Sequence, residues 1–186
     1  ISEDYRVSLR KIRFHPRHLQ MIITYGLPAG MQNSIIAFAN VIVQSSVNSF
    51  GAVAMAGFAA YIKIDGFNIL PVLSFSMAAT TFAGQNIGAG QYHRVKKGML
   101  VSVGMGIFYT VMTGILLLVF APQVIGVFTN NQDVVAYGVY IMKFFCPFYW
   151  ILAILQVASG TIRGTGKTLQ TMLIFLLSLC IFRVLW

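Results

Sequence analysis

Few side chains in this sequence are equipped for chemistry, and most of those that are carry amides. Asn33, Asn40, Gln44 and Asn48 follow one another at intervals of seven, four and four residues. Wound at about 100° per residue, they fall within roughly one quarter of a helix circumference. Ile35, Ile36, Phe38, Ile42, Val43 and Val47 take most of the remainder. Amides so placed either bind a polar ligand or tie one helix to another, at ~0.6 kcal/mol per interhelical bond. Four on one face, with Ser45 and Ser46 close by, exceed the need of a single helix contact and favour the lining of a cavity. Asp65 is the second candidate. It is the only acidic residue within an apolar run, where a carboxylate could bind a cation or exchange a proton; the alternative is a position near the outer interface, solvated or paired with Lys63 or with a neighbouring helix. The third group surrounds Pro147: Phe144, Phe145, Phe148, Tyr149 and Trp150. Phe145, Tyr149, Leu152 and Gln156 share a face at helical spacing. That surface suits flat or amphiphilic organic ligands, cations over the rings included, and equally suits helix packing or an interfacial belt.

Catalysis finds no such footing. An intramembrane enzyme needs a pair of membrane aspartates, serine with histidine, or a zinc set, and His15, His18 and His93 all lie in polar segments. Cys146 and Cys180 match no metal spacing. The string Arg163-Gly164-Thr165-Gly166-Lys167-Thr168 ends like a phosphate-binding loop, but that motif requires glycine at position 161, which is threonine. The expectation is a non-enzyme with no cofactor and no metal.

The elements that must position these residues are membrane spans. Hydrophobic residues make up 58% of the 186, charged residues 9%, and mean hydropathy is +0.78, whereas soluble domains are about a quarter charged. The uncharged runs are far longer than the ~10-residue strands of a membrane barrel. The fold class is therefore all-α, a polytopic transmembrane bundle of about five spans. The first, opened by Gly26 and Pro28, covers 27–49; the next, 58–84, is interrupted by Gly66 and Pro71. The others cover 98–121, 134–159 and 169–186. Loops are expected at 50–57, 122–133 and 160–168. The chain starts at Ile1 and stops at Trp186 inside an apolar run, as a piece of a longer protein would.

The net charge of +9 follows topology rather than nucleic acid. Of the 13 basic residues, five precede the first span, three lie between the second and third, and two between the fourth and fifth. The positive-inside rule then puts the amino-terminal segment and the turns near Gly88 and Gly160 in the cytoplasm. Lys63, Lys143 and Arg183 fall in or beside helices; Arg183 should face protein or water and find a partner.

Several motifs also resemble a known family. Gly26-Leu27-Pro28 opens an amide-rich helix; Ala83-Gly84-Gln85-Asn86-Ile87-Gly88-Ala89-Gly90 precedes basic residues; Asp133 leads into a helix that Gly160-Thr161-Ile162-Arg163-Gly164-Thr165-Gly166 closes. Together they look like multidrug and toxic compound extrusion (MATE) transporters. The resemblance implies that residues 1–26 are a cytoplasmic linker between lobes with the helix entry. Residues 27–186 would then be part of a six-helix carboxy-terminal lobe, helices seven to eleven with the last truncated. It further implies an antiporter of the bacterial plasma membrane, alternating between inward- and outward-open states and exporting small organic, often cationic, compounds on a proton or sodium gradient. Its partners would be lipid and the missing amino-terminal lobe. The carboxylates that the sodium-coupled branch carries in its seventh and tenth helices are absent here, Ile36 and Gln156 standing near those positions. On this reading Asn33, Asn40 and Gln44 line the cavity with Tyr149 and Gln156 facing them, and Asp65 is the candidate for ion coupling. A lipid-linked saccharide flippase of the same superfamily would want a more basic cavity, and a non-catalytic membrane scaffold would bury the amides in packing.

Overall fold

The computed structural model describes residues 15–177. They form α1 (Pro16–Asn48), α2 (Ala52–Gly88), α3 (Tyr92–Val119), a short α4 (Ala121–Gly126), α5 (Gln132–Phe145), a 3-10 turn (Cys146–Phe148), α6 (Tyr149–Gly164) and α7 (Thr168–Leu176). No strand occurs among the described residues. α1, α2, α3 and the combined run Gln132–Gly164 are each long and apolar enough to cross a membrane. The expected fifth span is represented by the nine residues of α7. Its continuation, with Cys180 and Arg183, lies outside the described residues, as do Arg6, Arg10, Lys11 and Arg13.

The helices are longer than the sequence suggested, because proline is absorbed rather than obeyed. α1 starts at Pro16, not near Gly26, and passes through Pro28; α2 starts at Ala52 and passes through Pro71. Proline at the first position of α1 loses only an orphan N–H, and in the interior a freed carbonyl is tolerated where neighbouring groups re-satisfy it. The loop expected over 50–57 shrinks to a tight turn in which Gly51, at φ 93°, takes the left-handed backbone that a side chain would resist. The loop expected over 122–133 contains α4. Beyond it Asn131 caps α5, its Oδ1 accepting from the Asp133 N–H at 2.9 Å and the Val134 N–H at 3.5 Å. Asp133 adds a negative charge to that first turn, where the helix dipole favours it.

Hydroxyls inside the spans satisfy themselves. Ser34, Ser74, Thr81, Thr110 and Thr113 each donate to a carbonyl four residues back, at 2.9–3.2 Å, which is how a polar hydrogen survives where no water reaches.

α2 is the hub, packing against α6, α3 and α5, while α1 pairs with α7 and meets α2 over a shorter stretch. α2 and the α5–α6 run lie side by side in the same direction. Gly57 abuts Gly138, Ser76 donates its hydroxyl to the Gln156 carbonyl at 2.7 Å, Thr80 donates to the Gly160 carbonyl at 2.8 Å, and Gly84 lies against the Gly164 carbonyl. The seam is built on the absence of side chains. A methyl on Gly160 would run into the Ser76 backbone, and one on Gly164 into the Thr80 carbonyl and Ala83. Small residues let helix backbones approach, and across lipid-soluble helices that close packing, with hydroxyl-to-carbonyl bonds, replaces the hydrophobic drive available in water.

Candidate functional site

Toward the Gly57 end of this seam the packing becomes aromatic and polar. Ala60, Tyr61 and Ile64 of α2 form a buried cluster with Ala121, Ile125, Met142, Cys146 and Tyr149. Tyr61 and Tyr149 are 7% and 4% exposed, and their hydroxyls are 3.4 Å apart, the Tyr149 oxygen donating. Phe145 stacks on Tyr61 with ring centroids 5.5 Å apart. Asp65, one helical turn beyond Tyr61, is half-buried, and its carboxyl stands beside the Tyr149 hydroxyl, close enough to interact with it. Of the alternative partners expected, a neighbouring helix supplies Tyr149, while Lys63 is exposed with its Nζ 5.5 Å over the ring of Phe128. Two phenol hydroxyls and one carboxyl in a closely packed core form a set that can hold a proton or a small cation by oxygen contacts alone.

The local sequence explains why Tyr149 turns inward. The 3-10 turn Cys146–Phe148 carries Pro147 and winds at three residues per turn instead of 3.6. The helix therefore advances about 60° before Tyr149 relative to an uninterrupted α-helix, which parts Phe145 from the face expected through Phe145, Tyr149, Leu152 and Gln156. Tyr149 is buried, whereas Phe145 is 44% and Leu152 39% exposed.

Farther along the seam Gln156 is half-buried, and its main-chain oxygen takes the Ser76 hydroxyl. Ser76 in turn accepts from Nη2 of Arg163 at 3.2 Å. Arg163 was expected in a cytoplasmic turn; it lies instead in the last turn of α6, half-buried, with the turn itself shortened to the residues between Gly164 and Thr168.

The amides of α1 stand apart from this core. Asn33 and Asn40 are exposed among the described residues, and Gln44 is half-buried with its Nε2 donating to Oδ1 of Asn48 at 3.1 Å. The buried amide of this helix is Gln32, 3% exposed. Since α6 packs on α2 and α3 while α1 pairs with α7, Tyr149 does not face the stripe as the sequence reading had it. The structure brings Asp65 together with Tyr149 and leaves Asn33, Asn40 and Gln44 on a separate surface. Tyr61 was not singled out from the sequence, although its place four residues before Asp65 puts both on one helix face. No group of three or more histidine, cysteine, aspartate or glutamate side chains placed to hold a metal ion occurs among the described residues.

Comparison with known proteins fits this architecture. "Probable multidrug resistance protein YpnP" of Bacillus subtilis is 31% identical over 163 residues, covering 88% of this chain and 37% of that protein. "Probable multidrug resistance protein NorM" of Thermotoga maritima is 28% identical over 167 residues, covering 85% and 34%. The chain thus spans little more than a third of the length of these relatives. Among solved structures, the outward-facing conformation of a multidrug resistance MATE family transporter of the MOP superfamily superposes with a TM-score of 0.85 at 18% identity, covering 94% of this chain and 40% of that one, which shows the same fold. Residues 28–186 match the MatE family model from Pro28 to Trp186, and the chain belongs to that family of membrane transporters.

Proposed function

We propose that this chain is part of a secondary active antiporter that exports small organic, often cationic, compounds by alternating access, with Asp65 as the group that couples transport to a proton or sodium gradient. The observation carrying this reading is the placement of Asp65, a half-buried carboxyl on a membrane-length helix, beside Tyr149 and one turn from Tyr61, at the edge of the buried cluster. A buried carboxyl is retained against its desolvation when it exchanges an ion, and the hub helix that bears it touches most other elements, so that loading Asp65 alters packing at the seam. The amides Asn33, Asn40 and Gln44 lie on the open surface of α1, where they would hydrogen-bond substrate across the cavity shared with the rest of the transporter, Gln156 contributing from α6. The relatives named as multidrug resistance proteins support that class of cargo, and their bacterial sources support a plasma-membrane location; the distribution of basic residues supports a cytoplasmic amino-terminal segment.

The test is transport by the full-length protein in proteoliposomes carrying an imposed pH or sodium gradient, read with a fluorescent cationic dye. Asp65→Asn is expected to lower gradient-driven transport at least tenfold while leaving downhill dye equilibration intact, and Asn40→Leu to weaken dye affinity without altering the ion dependence. Full coupling in Asp65→Asn refutes the assignment.

A further inference from the structure

A cavity of about 490 Å³ opens between α2, α3 and α4, walled by Ile64, Phe67, Tyr109, Leu116, Val127 and Phe128. Asn68 is its polar exception: it lines the cavity, it is 8% exposed, and its Oδ1 has no hydrogen-bond partner among the described residues. An orphan carboxamide oxygen away from water is destabilising by about 1–3 kcal/mol, and the last side-chain bond of asparagine is a soft torsion about which the group can turn toward a partner. On α3 the polar wall residues are Tyr109 and Thr113, and the Thr113 hydroxyl is already engaged with the Tyr109 and Thr110 carbonyls at 2.9 and 3.4 Å. Water is a poor occupant, because an internal water needs two to four polar partners and these walls are almost wholly apolar. Lys63, poised 5.5 Å over the Phe128 ring, sets a positive charge at the rim and disfavours a cation.

We propose that the cavity between α2, α3 and α4 is a binding site for an uncharged, mostly apolar molecule bearing one hydroxyl, which donates to Oδ1 of Asn68 while the body fills the space between Phe67, Tyr109 and Phe128. The size falls within the range of small-molecule sites. The preference for a neutral guest separates this site from a path for organic cations. Ile64 belongs both to the cavity wall and to the buried cluster around Tyr149, so an occupant bears on the packing beside Asp65 without touching it. The chemistry is that of a free alcohol or of a membrane lipid with an unesterified hydroxyl.

The full-length transporter, in detergent and in nanodiscs, is photolabelled with a diazirine-bearing octanol and the adducts are mapped by mass spectrometry. Adducts are expected on the peptides containing Phe67, Tyr109 or Phe128. Octanol should compete, octane and octyltrimethylammonium should not, and Asn68→Leu should reduce these adducts about tenfold, the equivalent of ~1.4 kcal/mol. Should Asn68→Leu fail to fold, Leu116→Trp fills the space from the opposite wall and should abolish them. Protection by nanodiscs containing diacylglycerol, but not by phosphatidylcholine alone, assigns the site to a hydroxyl-bearing lipid; unchanged labelling in both assigns it to a free alcohol. Adducts only elsewhere, equal competition by octane, undiminished labelling of both variants, or full protection by phosphatidylcholine alone overturns the proposal.

Discussion

Gly160→Ala is the substitution on which the seam between α2 and α6 is most sharply tested. The added methyl meets the Ser76 backbone, which has no rotamer with which to yield, and overpacking of this kind destabilises by about 1–3 kcal/mol. Moving α6 away also stretches the Ser76-to-Gln156 and Thr80-to-Gly160 bonds, now 2.7 and 2.8 Å, at ~0.6 kcal/mol each. Against this stands the gain of alanine over glycine within a helix, about 0.5–1 kcal/mol. The balance is a loss of about 1–4 kcal/mol. Gly104 supplies the opposite sign, because it too is helical but has nothing within 4 Å of the position a methyl would take. Gly104→Ala is expected to gain the helical 0.5–1 kcal/mol without penalty. Equilibrium unfolding of the full-length protein in mixed micelles compares the two directly. If Gly160→Ala is as stable as the parent, or shifts in the same direction as Gly104→Ala, the backbones are not in the contact described.

Three further outcomes are expected. Tyr149→Phe removes the hydroxyl that donates to Tyr61 beside Asp65, and since a neutral hydrogen bond is worth about 0.5–1.5 kcal/mol, the ion dependence of transport should shift about two- to tenfold; Phe148→Leu, at an exposed neighbour, should leave it unmoved. Asn131→Ala removes the cap of α5 and should lower stability by about 1 kcal/mol, detectable as faster hydrogen exchange at the Asp133 and Val134 amides and not in α3. Cys146, 4% exposed, should resist a membrane-impermeant maleimide until the protein is denatured, whereas Asn33→Cys in a background lacking Cys146 and Cys180 should react in the native transporter.

The spans were legible because length and lack of charge report the membrane directly, whereas the cap at Asn131 lay unrecognised in the loop expected over 122–133. The faces of the helices were not legible either. α1, α2 and α3 are apolar around most of their circumference, so periodicity carries little information about which side packs, and the inward turn of Tyr149 depends on a phase slip that only the geometry at Pro147 displays. Helix ends were misplaced for a related reason: Pro28, Pro71 and the small residues 52–57 weaken helices in water, but a low-polarity surrounding penalises unpaired backbone more than it penalises proline or glycine. Arg163 was placed in a turn by its charge, although its neighbours Gly160 and Gly164 at four-residue spacing are the mark of a close helix contact. The partnership of Asp65 with Tyr149 joins positions 84 residues apart by sequence number, which no local pattern encodes.

The hydroxyl ladder along α2 and α6 has one more property. Its donors, Ser76 and Thr80, and its acceptors, the carbonyls of Gln156 and Gly160, repeat at the same four-residue interval, and Gly164 offers the next carbonyl in the row. Shifted by four residues, about 6 Å, Ser76 would meet Gly160 and Thr80 would meet Gly164, with the same number of bonds. The ladder is a scale of equal divisions: it holds the two helices together without saying where along each other they stop. The stop is set by groups that do not repeat, the phenol pair of Tyr61 and Tyr149 at one end and the guanidinium of Arg163 on Ser76 at the other.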